Sequence, residues 1–133
     1  MKPIAIFYHT YFGGGSVPIN TDNAIRIVSE QLGEIKSSGL SEAAGKFVIG
    51  VSGSPSDYMA VNSMACDIVG DVHMHHNLTG VGELPTMLQM QQWAKCNPDH
   101  YICYLHTKGV IHNGNPVYEA WRKCMERVVI GMW

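Results

Sequence analysis

The feature that most constrains this chain is an alternation repeated four times: a short apolar run rich in β-branched or aromatic residues, then a longer stretch whose apolar residues recur at helical spacing. The first run, Ile4-Ala5-Ile6-Phe7-Tyr8, is apolar at every position, which suits a strand covered on both faces. After Gly13-Gly14-Gly15-Ser16, Asn20 or Thr21 caps a helix bearing Ala24, Ile25, Val28, Leu32 and Ile35, and Ser38-Gly39 stops it. Lys46-Phe47-Val48-Ile49-Gly50-Val51 is the second run. Ser54-Pro55-Ser56-Asp57 then supplies an N-cap, a first-turn proline and an acid, starting a helix that turns Tyr58, Val61, Met64 and Ala65 inward. A third strand is expected around Ile68-Val69, extending through Asp71-Val72-His73-Met74-His75, where polar and apolar residues alternate as at a half-exposed edge. Glu83-Leu84-Pro85-Thr86 opens the next helix, which Asn97-Pro98 closes, and Tyr101-Ile102-Cys103-Tyr104-Leu105 is the fourth strand. Pro116 begins a last helix with Val117, Trp121, Cys124, Met125 and Val128 on one face, the tryptophan fitting the apolar stripe. Arg122, Lys123 and Arg127 decorate the other face, with Arg122 solvated.

Strand and helix in strict alternation predict an α/β fold: an open, mostly parallel sheet with helices on both faces, in a single domain over residues 1–133. With 46% hydrophobic and 15% charged residues the chain has a core to build, which excludes disorder. Nine Lys plus Arg against eleven Asp plus Glu give a net charge of -2, with no long basic run. That balance argues against a nucleic-acid partner or a membrane-surface protein working through bulk charge, so any anion must be held by local geometry. No apolar run is long enough for a membrane span, and the N-terminal one is too short for a signal peptide; the expected location is cytoplasmic. Cys66, Cys96, Cys103 and Cys124 show no C-x-x-C pair, which fits reduced thiols.

In open parallel sheets ligands bind beyond the carboxyl ends of the strands, where strand order reverses. His9-Thr10, Ser52-Gly53 and His106-Thr107-Lys108-Gly109 all fall where strands finish. The last delivers an imidazole, a hydroxyl, a fixed cation and a glycine over four residues, a set suited to a phosphate or diphosphate. Its bland alternative is a polar loop whose lysine points into water. Gly13-Gly14-Gly15 lacks the phosphate-loop pattern and reads as a flexible loop able to close over a ligand. Asp71, His73 and His75 would share one face of a strand as weak metal candidates, or simply line an exposed edge. Glu83 and Thr86 either reach the crevice as a helix-start pair or act in capping. No Ser-His-Asp order, Cys-His pair or paired carboxylates at the strand ends gives hydrolase chemistry positive support.

Glu30-Gln31-Leu32, Ser38-Gly39-Leu40, Gly50-Val51-Ser52-Gly53, Glu83-Leu84-Pro85-Thr86, Tyr104-Leu105-His106-Thr107-Lys108-Gly109 and Trp121-Arg122 with Met125-Glu126 occur in this order. Together they resemble glycosyltransferase-like proteins, mostly from microbes and algae, whose mark is the Tyr-Leu-His-Thr-Lys-Gly segment. The resemblance implies a glycosyltransferase fold of the A type (GT-A) that binds a nucleotide-diphosphate sugar and transfers the sugar to an acceptor. In that fold the fourth strand usually ends in an Asp-x-Asp that holds a divalent metal. Here it ends in His106-Thr107-Lys108, which puts a metal cofactor in doubt and gives Lys108 the charge-neutralising role. Lys108 and His106 are then the expected catalytic residues, with His9, Thr10, Ser52, Gly53, Glu83, Thr86, Thr107 and Gly109 around the substrate. Members of the resembled family continue further, so the chain is expected to be the N-terminal, nucleotide-binding half. The alternative is a non-catalytic α/β binding or assembly module, completed by a missing C-terminal half or a homodimer partner that buries the apolar Val128–Trp133 end.

Overall fold

Apolar, β-branched sequence forms strands where neighbours cover it, and here two largely apolar central strands pair with two flanking ones into one sheet. In a computed structural model that describes residues 2–14, 18–77 and 82–133, β1 (Ile4–Tyr11), β2 (Ala44–Ser52), β3 (His73–Asn77) and β4 (Tyr101–His106) are all parallel. Their order is β3-β2-β1-β4. Side chains alternate across the central strands. Ile4, Ile6 and Tyr8 of β1 join Phe47, Ile49 and Val51 of β2 in the larger core, while Ala5, Phe7 and Val48 form a smaller one on the opposite face. Helices α1 (Thr21–Ser37) and α3 (Pro55–Ile68) cover the first face through Ala24, Ile27, Val28, Leu32, Val61 and Ala65. Helix α4 (Leu84–Cys96) covers the second through Met90 and Trp93. Each large side chain fully buried this way contributes about 1.5–3 kcal/mol. The chain thus winds outward from β1 to β3 over one face and returns by α4 over the other to place β4 beside β1. That switch of face is what right-handed crossovers require when the winding direction reverses.

The helix starts follow the sequence closely. Asn20 accepts from the Asn23 N–H, and Ser54 and Asp57 form a reciprocal capping box. A short helix, α2 (Leu40–Ala43), follows Gly39, whose φ of 77° reverses the chain out of α1. Gly13 and Gly14 continue from β1 with φ of 117° and 103°; Gly15 and Ser16 of the expected flexible loop lie outside the described residues. Among the described residues no helix is long and apolar enough to cross a membrane.

Two expectations are corrected. Ile68 closes α3 and Val69 is its C-cap, so the third strand does not begin there; it is confined to His73–Asn77, and Asp71 lies outside it. Apolar content alone does not separate the end of a buried helix from a short strand, and α3 runs on through the ambiguous residues. The second correction concerns α5 (Pro116–Val129), which is turned inside out relative to its pattern. Arg122 is buried at 1% exposure, while Val117 and Val128 are 72% and 60% exposed, and Trp121 and Met125 also face solvent. The cause is the neighbour. The α1 surface opposite α5 carries Arg26 and Glu30, and Arg122 donates to Glu30 at 2.9 Å, Glu119 at 2.8 Å and Glu126 at 2.7 Å, while Arg26 bonds both Glu30 and Glu119 at 2.7 Å. Burial opposes the Arg122 charge, but its hydrogen bonds to the Glu126 and Glu119 carboxylates, with their charges, outweigh it and hold its pKa above the ordinary arginine value.

Candidate functional site

Parallel pairing fixes which side chains become neighbours. His9 of β1 is in register with Gly50 of β2 and His106 of β4, and Gly50 is in register with His75 of β3. One row near the carboxyl ends therefore reads His75, Gly50, His9, His106 on the face that α4 covers. Gly50 leaves a gap in it, and Thr86 from the first turn of α4 fills that gap. A β-carbon at position 50 would overlap the Thr86 hydroxyl and lie 2.5 Å from His75 Nε2. Thr86 Oγ1 is 2.9 Å from His9 Nδ1 and 3.4 Å from His75 Nε2, so its hydroxyl links two imidazoles. Glu83, the N-cap of α4, makes no side-chain capping bond. Its carboxylate instead accepts from the Tyr104 hydroxyl at 2.5 Å and faces His106 Nδ1 at 3.4 Å.

In front of this row, between the ends of β1 and β4, lies a cavity of about 590 Å³, within the range of small-molecule sites. His9 and Tyr11 line it from β1, and Glu83, Leu84 and Met87 from the start of α4. Its far wall is the segment His106–His112, with Tyr118 of α5 behind. Gly109, at φ 82°, turns that segment into a single 3₁₀ turn, Val110–His112, packed close to Tyr118. The His112 and Tyr118 rings stack with centroids 3.4 Å apart. Lys108 Nζ sits 4.4 Å over the Trp121 ring and has no carboxylate partner among the described residues.

The imidazoles of the row are each shifted toward the neutral form. Burial pushes His9 down to about 4; Glu83 opposes this, while His75 and His106 add to it. His75 is lowered by burial, and His106 is lowered by burial and by Lys108 against the pull of Glu83. His9 Nε2 is buried with no hydrogen-bond partner among the described residues.

Of the residues singled out by sequence, His9, Glu83, His106, Thr107, Lys108 and Gly109 line the cavity. Thr86 stands behind it, one hydrogen bond from His9. Thr10, Ser52 and Gly53 do not line it. Thr10 donates to the Gly50 carbonyl at 3.2 Å, and Ser52 donates to the Gly82 carbonyl at 3.1 Å. A β-carbon at Gly53 would lie 2.7 Å from Phe12 Cβ, so its bareness serves packing. Thr107 lines the cavity with its hydroxyl engaged by the Tyr11 N–H at 3.0 Å. His75 is drawn to Thr86, His73 is exposed and Asp71 is off the strand; among the described residues no group of three His, Cys, Asp or Glu is placed to hold a metal. Sequence reading missed Tyr11, His112 and Tyr118. His112 and Tyr118 follow the fourth strand closely, and extending the strand-end rule through the next helix start would have included them.

No curated protein and no solved structure matches this chain. A family model described as "Domain of unknown function (DUF8361)" matches residues 7–131, nearly the whole length, and the chain belongs to that family.

Proposed function

We propose that the β1–β4 crevice binds a nucleotide-diphosphate sugar and that the chain is the donor-binding domain of a glycosyltransferase-like enzyme of the A type, working in the cytoplasm. The observation that carries this reading is the cavity at the point where strand order reverses, with Lys108, a cation without a carboxylate partner among the described residues, on its wall. The stacked His112–Tyr118 pair offers a flat surface beside it for a base or sugar ring. In the proposed reaction an acceptor hydroxyl attacks the anomeric carbon and gives up its proton to a base, the bond to the diphosphate oxygen breaks, and Lys108 meets the departing charge. The donor set does not fit a divalent metal: among the described residues Glu83 is the one carboxylate lining the cavity, the Thr107 hydroxyl is engaged by backbone, and Lys108 brings a positive charge to the same wall. No step is routed through a metal.

Calorimetric titration with UDP-, GDP- and dTDP-sugars tests the reading. Binding of one of them is expected, weakened roughly tenfold or more by Lys108→Ala, as the loss of a charge-assisted contact requires. A folded sample that binds none would end it.

A second reading, a non-catalytic binding or assembly module, is favoured by the outward apolar face of α5. Ligand binding without turnover, indifferent to Lys108→Ala, would select it.

A further inference from the structure

We propose that His9, Thr86 and His75 form a proton relay, which takes a proton from a group bound in the β1–β4 cavity and passes it toward the edge strand β3. Three independent features converge on it. The first is the orphaned nitrogen: His9, 3% exposed, is one of the residues bordering the cavity, and its buried Nε2 has no partner among the described residues. A buried polar atom left unpaired is costly, and a bound ligand is what would pair it. The second is continuity, since the other ring nitrogen is 2.9 Å from Thr86 Oγ1, which in turn lies 3.4 Å from His75 Nε2. The third is Gly50. Any side chain there would collide with both the Thr86 hydroxyl and the His75 ring, so the bare position keeps the path open.

A lone His9 would be a poor base. Its cation would sit buried between His75 and His106, with Lys108 on the same cavity wall and only Glu83 opposing. Passing the proton on removes that burden. The O–H bond of a bound hydroxyl breaks and its proton joins His9 Nε2; the Nδ1 proton moves to Thr86 Oγ1; the original Thr86 hydroxyl proton moves to His75 Nε2. The positive charge then rests on a half-buried imidazole of the edge strand rather than on the enclosed one. That the bound group is an acceptor hydroxyl rests on the donor-site reading above, whereas the relay does not. The relay demands that resting His9 carry its proton on Nδ1 and that Thr86 donate to His75.

Nitrogen-15 NMR of the imidazoles in the full chain, from about pH 4 to about pH 9, reads this directly. The expected result is a neutral His9 at pH 7 with the proton on Nδ1, moved toward Nε2 in Thr86→Val and retained in Thr86→Ser. His75→Leu, which removes the last acceptor without touching Thr86, should shift the His9 proton the same way. A wild-type His9 protonated on Nε2, or a tautomer unchanged in Thr86→Val and in His75→Leu, would overturn the relay. If calorimetry supports the donor site, Thr86→Val should lower kcat for sugar transfer roughly 10²-fold with little change in KM, and Thr86→Ser should restore it. If calorimetry fails, the donor reading falls and the tautomer measurement still decides the relay.

Discussion

His9 couples the stability of the fold to pH on the acid side of neutrality. Its folded pKa is about 4 against the usual 6.5, so between those values the unfolded chain binds a proton that the folded chain refuses. The stability this represents is fully present above about pH 6.5 and is lost as pH falls toward 4, where the loss levels off. The difference is worth roughly 3 kcal/mol. His75 and His106 are shifted in the same direction and add to the slope. Urea unfolding at about pH 7.5 and about pH 5 should therefore show a marked loss on the acid side, and His9→Gln should flatten most of it. An equally steep loss in His9→Gln would place the acid sensitivity elsewhere. At this scale the sequence was legible wherever the strand-end rule applied, which is how His9, His106 and Lys108 come into view together. The partner of Thr86 was not legible, because its neighbours Gly50 and His75 become adjacent only through the register of three strands.

Among the elements, α5 shows what periodicity leaves open. Its pattern separates an apolar stripe from a charged one, and that separation survives in the structure; what the pattern does not contain is which stripe meets the rest of the protein. The answer lies 92 residues away at Glu30, whose carboxylate gives the Arg122 guanidinium a reason to turn inward. Most of the alternation of strands and helices, by contrast, was readable locally, since capping chemistry at Asn20 and Ser54 and uncharged runs at β1 and β4 are local properties, whereas the start of β3 and the helix α2 were not. The inversion makes a prediction opposite to the one the pattern would give. Removing Arg122 leaves Glu119 and Glu126, among the described residues, with no other cation bonded to them except Arg26 at Glu119, so Arg122→Ala should cost about 3 kcal/mol. Trp121→Ala, at an exposed position, should change stability by about 0.5 kcal/mol or less. Denaturant midpoints of the two variants decide between a charge-docked helix and an apolar one, and the reverse ranking would refute the charge-docked arrangement.

For the molecule as a whole, the two edges of the sheet are treated differently. The β3 edge, His-Met-His-His-Asn, is five residues long and mostly polar, which discourages pairing with another chain. The β4 edge is Tyr-Ile-Cys-Tyr-Leu-His, with no lysine, no proline and no bulge in its pairing to β1. Tyr101 and Ile102 are exposed on it, and a groove lined by Leu40, Cys103, Val129 and Trp133 runs beside it. The apolar face of α5 lies outward as well. An edge strand with apolar flanks on one side of the molecule favours association, and the polar edge on the other side confines it there. Sedimentation over a concentration series should accordingly detect self-association. Ile102→Lys, which places a charge on the open edge, should reduce it without lowering the unfolding midpoint by more than about 1 kcal/mol. Should the wild type stay monomeric at every concentration, or should Ile102→Lys associate as strongly as the wild type, the β4 edge would not be the mating surface, and the outward face of α5 would need another explanation.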